Sequence, residues 1–115
     1  MAIFKYDVTK MVNSEEKVYL KIVHPKVGTV SKTVVDLPHN DDLEAENEAV
    51  LFLGTGTELE KERTLIYTKL TNLNENDLNV ELEYYLNDQI VVEHSNPKNI
   101  DPTPQLKTRV KFVVE

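Results

Sequence analysis

Hydrophobic and polar positions alternate with a period of two along most of the chain. The clearest run is 78–86, LNVELEYYL. Leu78, Val80, Leu82, Tyr84 and Leu86 fall on one side of it, and Asn79, Glu81, Glu83 and Tyr85 on the other. A helix would scatter the five apolar residues around its circumference, whereas a strand puts them all on one face. The run 106–114 repeats the pattern. Leu106, Thr108, Val110, Phe112 and Val114 alternate with Lys107, Arg109, Lys111 and Val113. Both runs read as antiparallel strands with one buried face.

Weaker runs fill in the rest. The stretch 3–12 is a first strand with Phe4, Tyr6 and Val8 on one face, and 17–23 is a second with Val18, Leu20 and Ile22 together. The segment 24–28, HPKVG, is a turn, since Pro25 lacks an amide proton and Gly28 accepts positive φ. The strand 29–37 then returns, so 17–23 and 29–37 are expected to form a hairpin. The apolar run 49–53 reads as a strand covered on both faces or central in its sheet. Gly54-Thr55-Gly56 breaks it, and 59–71 returns with Ile66, Thr68 and Leu70 opposite Leu65, Tyr67 and Lys69. Asn87-Asp88 is a two-residue hairpin signal leading into a strand at 90–93. The only helical candidate is 41–47, where Asp41 stands as a cap and Glu44 three residues on completes a capping box.

The segment 95–104, SNPKNIDPTP, holds three of the five prolines and cannot be a central strand. It reads as a crossover that sends the last strand to a different neighbour. Strands at this spacing, with no long helical period, predict an all-β fold: an antiparallel β-sandwich, immunoglobulin-like or Greek-key, of seven or eight strands in one domain over 1–115. The stretch 65–92, LIYTKLTNLNENDLNVELEYYLNDQIVV, resembles the middle of a bacterial immunoglobulin-like or fibronectin-like module. A strand ends there in a Thr-Asn turn, an amphipathic strand follows, and a tight Asn-Asp turn leads on. The resemblance is one of fold pattern, lacks the Cys…Trp…Cys hallmark, and carries no site residues with it.

Charge changes this picture more than composition does. The chain of 115 residues has 13 bases and 20 acids, a formal charge of -7. That repels nucleic acid unless a basic face overrides it. Absence of cysteine removes disulfides, thiolate catalysis and Cys-type metal sites. The first ten residues lack the apolar core of a signal peptide, and no apolar run approaches membrane-spanning length. The expected location is therefore cytoplasmic or virion-associated, with no membrane partner.

The acids are concentrated. Nine lie between Asp36 and Glu62 against the single base Lys61. Asp41, Asp42, Glu44, Glu46 and Glu48 form a candidate surface for a basic partner. The same cluster has the oxygen ligands Ca²⁺ wants, while Glu58, Glu60 and Glu62 have the spacing of a solvated strand face. Lys107, Arg109 and Lys111 make the last strand basic. They are expected either to pair across a sheet with Glu81 and Glu83 or to guard a sheet edge.

Catalytic chemistry finds little support. His24, His39 and His94 are far apart, and His94-Ser95 would point to opposite faces of a strand. Gly54-Thr55-Gly56 lacks a phosphate-cradle lysine. Asn72, Asn74, Asn76 and Glu83 imitate a calcium loop, but Asp77 stands where the sharp turn needs glycine, so 72–76 reads as a turn of Asn side chains. Tyr85 is the best exposed aromatic for a sugar. The expectation is a non-catalytic structural or protein-interaction module without cofactor, with a protein partner or self-assembly, such as a phage capsid-decoration or tail-accessory subunit. The alternative is a ligand-binding module for carbohydrate or Ca²⁺.

Overall fold

The structure is a computed structural model and describes residues 2–115. Nine strands and one short helix follow the chain: β1 (Ile3–Val12), β2 (Lys17–Val23), β3 (Thr29–Asp36), β4 (Leu43–Glu46), β5 (Ala49–Thr55), α1 (Gly56–Leu59), β6 (Thr64–Asn72), β7 (Asn79–Leu86), β8 (Gln89–Pro97) and β9 (Gln105–Val114). They form two facing sheets, one of five strands in the order β1-β9-β6-β3-β4 and one of four in the order β5-β2-β7-β8. Every pairing is antiparallel except β1 with β9, which is parallel.

The alternation sorts side chains as expected. Val80, Leu82, Tyr84 and Leu86 of β7 are buried, as are Leu106, Thr108, Val110 and Phe112 of β9. They meet Val18, Leu20 and Ile22 from β2 and Ile66 and Leu70 from β6 in one apolar core. Close packing of this kind is the main favourable term in a domain of this size. The Asn87-Asp88 hairpin is present, with φ of 47° and 65° at the two residues, the conformation a two-residue hairpin turn requires. At 72–76 the Asn72 side chain accepts from the Asn74 amide and that of Asn74 from the Asn76 amide, a pair of side-chain turns.

Other expectations are corrected. There are nine strands, not seven or eight, and the parallel β1–β9 pair departs from a purely antiparallel sandwich. Segment 41–47 is not helical: it holds β4, with Leu43 and Ala45 half-buried and Glu44 and Glu46 exposed. Two turns of helix would have been marginal alone, and pairing with β3 supplies the backbone bonds instead. The helix lies at 56–59, behind a genuine capping box in which the Thr55 hydroxyl accepts from the Glu58 amide and the Glu58 carboxylate accepts from the Thr55 amide. Glu58 thus sits in α1, with Glu60 and Glu62 in the following turn rather than on a strand face.

β2 and β3 do not pair. They lie in opposite sheets, so 24–28 arches over the sandwich end. The run 49–53 is neither central nor covered: β5 is an edge strand, with Val50 62% and Phe52 48% exposed. β8 extends to Pro97, tolerated because β8 is also an edge. Leu78 lies outside β7 and is exposed. Finally, β9 pairs with neither Glu81 nor Glu83. It is an inner strand between β1 and β6, so its bases guard no edge either.

The two sides of the sandwich differ. On the side where β1 and β8 are edges, polar and aromatic contacts tie the sheets together. His94, buried on β8, accepts at Nδ1 from the Tyr6 hydroxyl at 2.6 Å and donates from Nε2 to the Asn96 side-chain oxygen at 2.7 Å. The tautomer follows from Asn96, whose amide group donates to the Pro97 and Asp101 carbonyls and so leaves its oxygen as acceptor. The Phe4 ring packs against His94 at a tilt, with centroids 4.6 Å apart, and Lys10 donates to Gln89.

Burial lowers the His94 basicity below its ordinary value of 6.5, and desolvation does the same to His24. A base with a depressed folded pKa stays neutral in the native state while the unfolded chain takes up a proton. Its contribution is complete above about pH 6.5 and is lost as pH falls through the folded value. Denaturant midpoints measured from pH 8 to 5 are expected to drop at the acid end. A His94→Gln variant, which cannot titrate, is expected to show a shallower drop, the remainder coming from His24; an unchanged slope would refute the assignment.

Candidate interaction edge

On the other side of the sandwich, β4 and β5 are the edges, joined by residues 47–48. The left-handed conformation of Asn47, φ 61°, lets the chain switch sheets there. Asn47 is held by β3: its amide donates to the Ser31 carbonyl and its side chain accepts from the Ser31 amide. Inward from this edge, Leu43, Ala45 and Leu51 reach the core but stay half-buried. Outward, Val50 and Phe52 stand in solvent beside Tyr19 of β2, whose ring lies 5.3 Å from that of Phe52.

An edge strand exposes unpaired amides and carbonyls that can template another strand, and proteins normally blunt it. Three of the four edges are blunted. β1 carries Lys5, Asp7 and Lys10, β8 carries Glu93 and Pro97, and β4 is four residues long with Glu44 and Glu46. β5, AVLFLGT, has neither charge nor proline in seven residues. Its relief is a bulge opposite Val18/Tyr19, close to Gly54 at φ 140°.

The acids foreseen as a surface gather on this side. Glu44 and Glu46 are exposed on β4, with Glu46 opposite Lys32 of β3. Asp41 and Asp42 precede them in the loop. Glu48 accepts from the His24 amide at 3.0 Å, just before β5. Partial desolvation, then the negative neighbours Asp36, Asp41 and Glu44, hold the Asp42 carboxyl above its ordinary range. Among the described residues, no group of three or more His, Asp or Glu converges as metal ligands.

Tyr85 is half-buried on the outer face of the four-stranded sheet. Its hydroxyl donates to Glu83 at 3.3 Å, and the Lys21 ammonium lies over the ring at 5.9 Å. Lys107, Arg109 and Lys111 project from the outer face of the five-stranded sheet. Arg109 binds Asp7 of β1 at 2.9 Å, and Lys107 lies over Tyr67 at 5.8 Å. A shallow depression of about 540 Å³ crosses this face, with Tyr67 and Val34 as floor and Lys32, Lys69, Lys107 and Glu44 around it. Glu81 binds Lys26 at 2.9 Å instead of the last strand.

The sequence names the acids and a strand at 49–53, but not that strand as an open edge. The signal was present, since an uncharged run of 49–53 fits an open edge as well as a buried strand; only the strand order separates the two. Among the described residues, no helix is long and apolar enough to cross a membrane. No family model matches the chain, and no curated protein or solved structure matches it at a significant level.

Proposed function

We propose that the chain is a non-catalytic protein-interaction module, a subunit of a larger assembly, that receives a strand from a partner along β5. The observation that carries this reading is the contrast between β5 and the other three edges. β5 alone is long, uncharged and apolar on its outer face, with Val50 and Phe52 exposed. Strand addition gives a partner main-chain hydrogen bonds along the edge and contacts with alternate side chains. Leu51, half-buried, would be covered on the same approach. The immunoglobulin-like, Greek-key reading belongs with this proposal, supported by the chain's repeated passage between two facing sheets.

The test compares the protein with a Val50→Lys/Phe52→Lys variant. Both positions face solvent, so the fold is expected to persist, as circular dichroism will check. Proteins retained from an extract of cells carrying the gene should be lost by the variant. The complex formed by the unaltered chain should slow hydrogen exchange at the amides of 49–55. Equal retention by both proteins, with protection elsewhere, would sink the proposal.

A further inference from the structure

A separate site lies on the sheet that does not contain β5, and it stands or falls independently of that edge. The register of the five-stranded sheet lays its outer face out in rows. One row runs Lys5, Lys107, Tyr67, Val34 and Glu44 from β1 to β4, and the next runs Ile3, Gln105, Lys69, Lys32 and Glu46. The shallow depression of about 540 Å³ lies between these rows, with Lys32, Lys69 and Lys107 around it and Tyr67 and Val34 as its floor. A hollow of that volume is in the size range of small-molecule sites.

The placing of the lysines works against the sheet that carries them. Lys69 stands directly opposite Lys32, and Lys107 directly opposite Lys5. Like charges directly opposite one another destabilise a strand pair. Among the described residues, Lys32, Lys69 and Lys107 enter no ion pair, whereas Arg109 binds Asp7 in the neighbouring row. Glu46 flanks Lys32, and Glu44 closes the β4 end of the depression. Three bases against Glu44 leave the lining two positive charges in excess, on a chain whose net charge is -7. Edge protection does not account for these lysines, since β3, β6 and β9 are all inner strands.

We propose that this depression binds a small organic dianion, with its acid groups held between Lys69 and Lys107 and a planar apolar body lying on Tyr67 and Val34. Two negative charges cancel the surplus of the lining. The Lys107 ammonium is 5.8 Å from the Tyr67 ring centroid, at the outer range of a cation–π contact, and its flexible stem lets it turn to an anion. A long polyanion fits less well. Beyond the depression it meets Glu44 and Glu46 at the β4 end and Asp36 in the neighbouring row, and the net charge of the chain repels it.

Titrations of the whole chain at low salt and about pH 8, where phosphate monoesters are dianions, test this. 1-Naphthyl phosphate and naphthalene-2,3-dicarboxylate carry two charges on one planar body. Both are expected to bind, with amide shifts at 67–69 and 105–107, and their ratio tells phosphate from carboxylate. 1-Naphthol and inorganic phosphate each supply half of the ligand and are expected to bind at least about fivefold more weakly. Lys69→Gln should weaken both dianions about fivefold, and Tyr67→Ala should weaken them while leaving inorganic phosphate unaffected. Lys111→Gln, the same change of charge on β9 outside the depression, should leave them unaffected. Without ligand, Lys69→Gln should raise the thermal midpoint by about 2 °C, because it removes a like-charge pair. Failure of both dianions to bind, or binding no tighter than 1-naphthol, would overturn the proposal. So would equal weakening by Lys111→Gln, which marks diffuse attraction, or a lowered midpoint, which marks Lys69 as structural. Tighter binding of a glutamate-rich peptide to the same amides would make the occupant an acidic chain and overturn it too.

Discussion

Gly56→Ala is expected to cost about 3 kcal/mol of stability, the overpacking range at its upper end. In a domain of this size that lowers the thermal midpoint by roughly 10 °C. Gly56 opens α1 where the helix sits against the turn between β1 and β2. A methyl group there would meet the Asn13 carbonyl oxygen at 2.1 Å, with the Asn13 carbonyl carbon and a Val12 methyl at 3.0 Å. The obstacle is backbone and cannot rotate away. That turn is bound to α1 by main-chain bonds from Gly56 to the Glu16 carbonyl and from Thr57 to the Ser14 carbonyl, at 3.0 and 2.9 Å. To admit a methyl, either these bonds open or the turn shifts, and Leu59, buried completely, shifts with the helix. Thr57→Ala is the control. It removes one exposed bond to the Ser14 carbonyl and is expected to cost under about 1 kcal/mol. Urea melts of the two variants should differ clearly in midpoint; a Gly56→Ala midpoint within error of the unaltered protein would show that α1 is not fixed in this position.

Gly56 also shows where sequence pattern stops being informative. Thr55-Gly56-Thr57-Glu58 is a capping box in plain sight, yet 41–47 offers acids at the same spacing and competes with it. What separates them is tertiary: residues 43–46 find a ladder along β3, while 56–59 find a docking surface on the β1–β2 turn. Within strands the reading is secure, because side-chain parity is fixed by backbone geometry; β7 and β9 bury the residues expected. Between strands it fails. The turn at 24–28 serves equally as hairpin or arch, and the opposite charges of β7 and β9 suggested a pairing that the two-sheet arrangement prevents.

The candidate edge was half legible for the same reason. The acids of 41–48 are visible as residues, but a strand's place at an edge belongs to the whole topology. His94 makes the point again: its inward parity follows from Ser95 and Glu93 facing out, while its partner Tyr6 lies 88 residues away.

The second large effect lies between the sheets. Tyr84 of β7 is fully buried, and its hydroxyl hydrogen-bonds to the Thr68 hydroxyl of β6, which in turn is 2.9 Å from the Thr33 hydroxyl of β3. Burial drives the Tyr84 phenol far above its ordinary range. Tyr84→Ala is expected to cost about 3–5 kcal/mol, from lost transfer energy and the cavity left behind. Against a total of about 5–15 kcal/mol for an ordinary domain, that leaves a chain near the edge of folding at 37 °C. Tyr84→Phe keeps the ring and removes only the hydroxyl. Thr68 retains Thr33 as partner, so no buried group is orphaned and the cost is expected near 1 kcal/mol. The contrast assigns the large loss to packing and the small one to the polar link. If Tyr84→Phe proved as damaging as Tyr84→Ala, the hydrogen-bonded chain of Thr33, Thr68 and Tyr84, rather than the apolar core around the ring, would be what holds the two sheets in register.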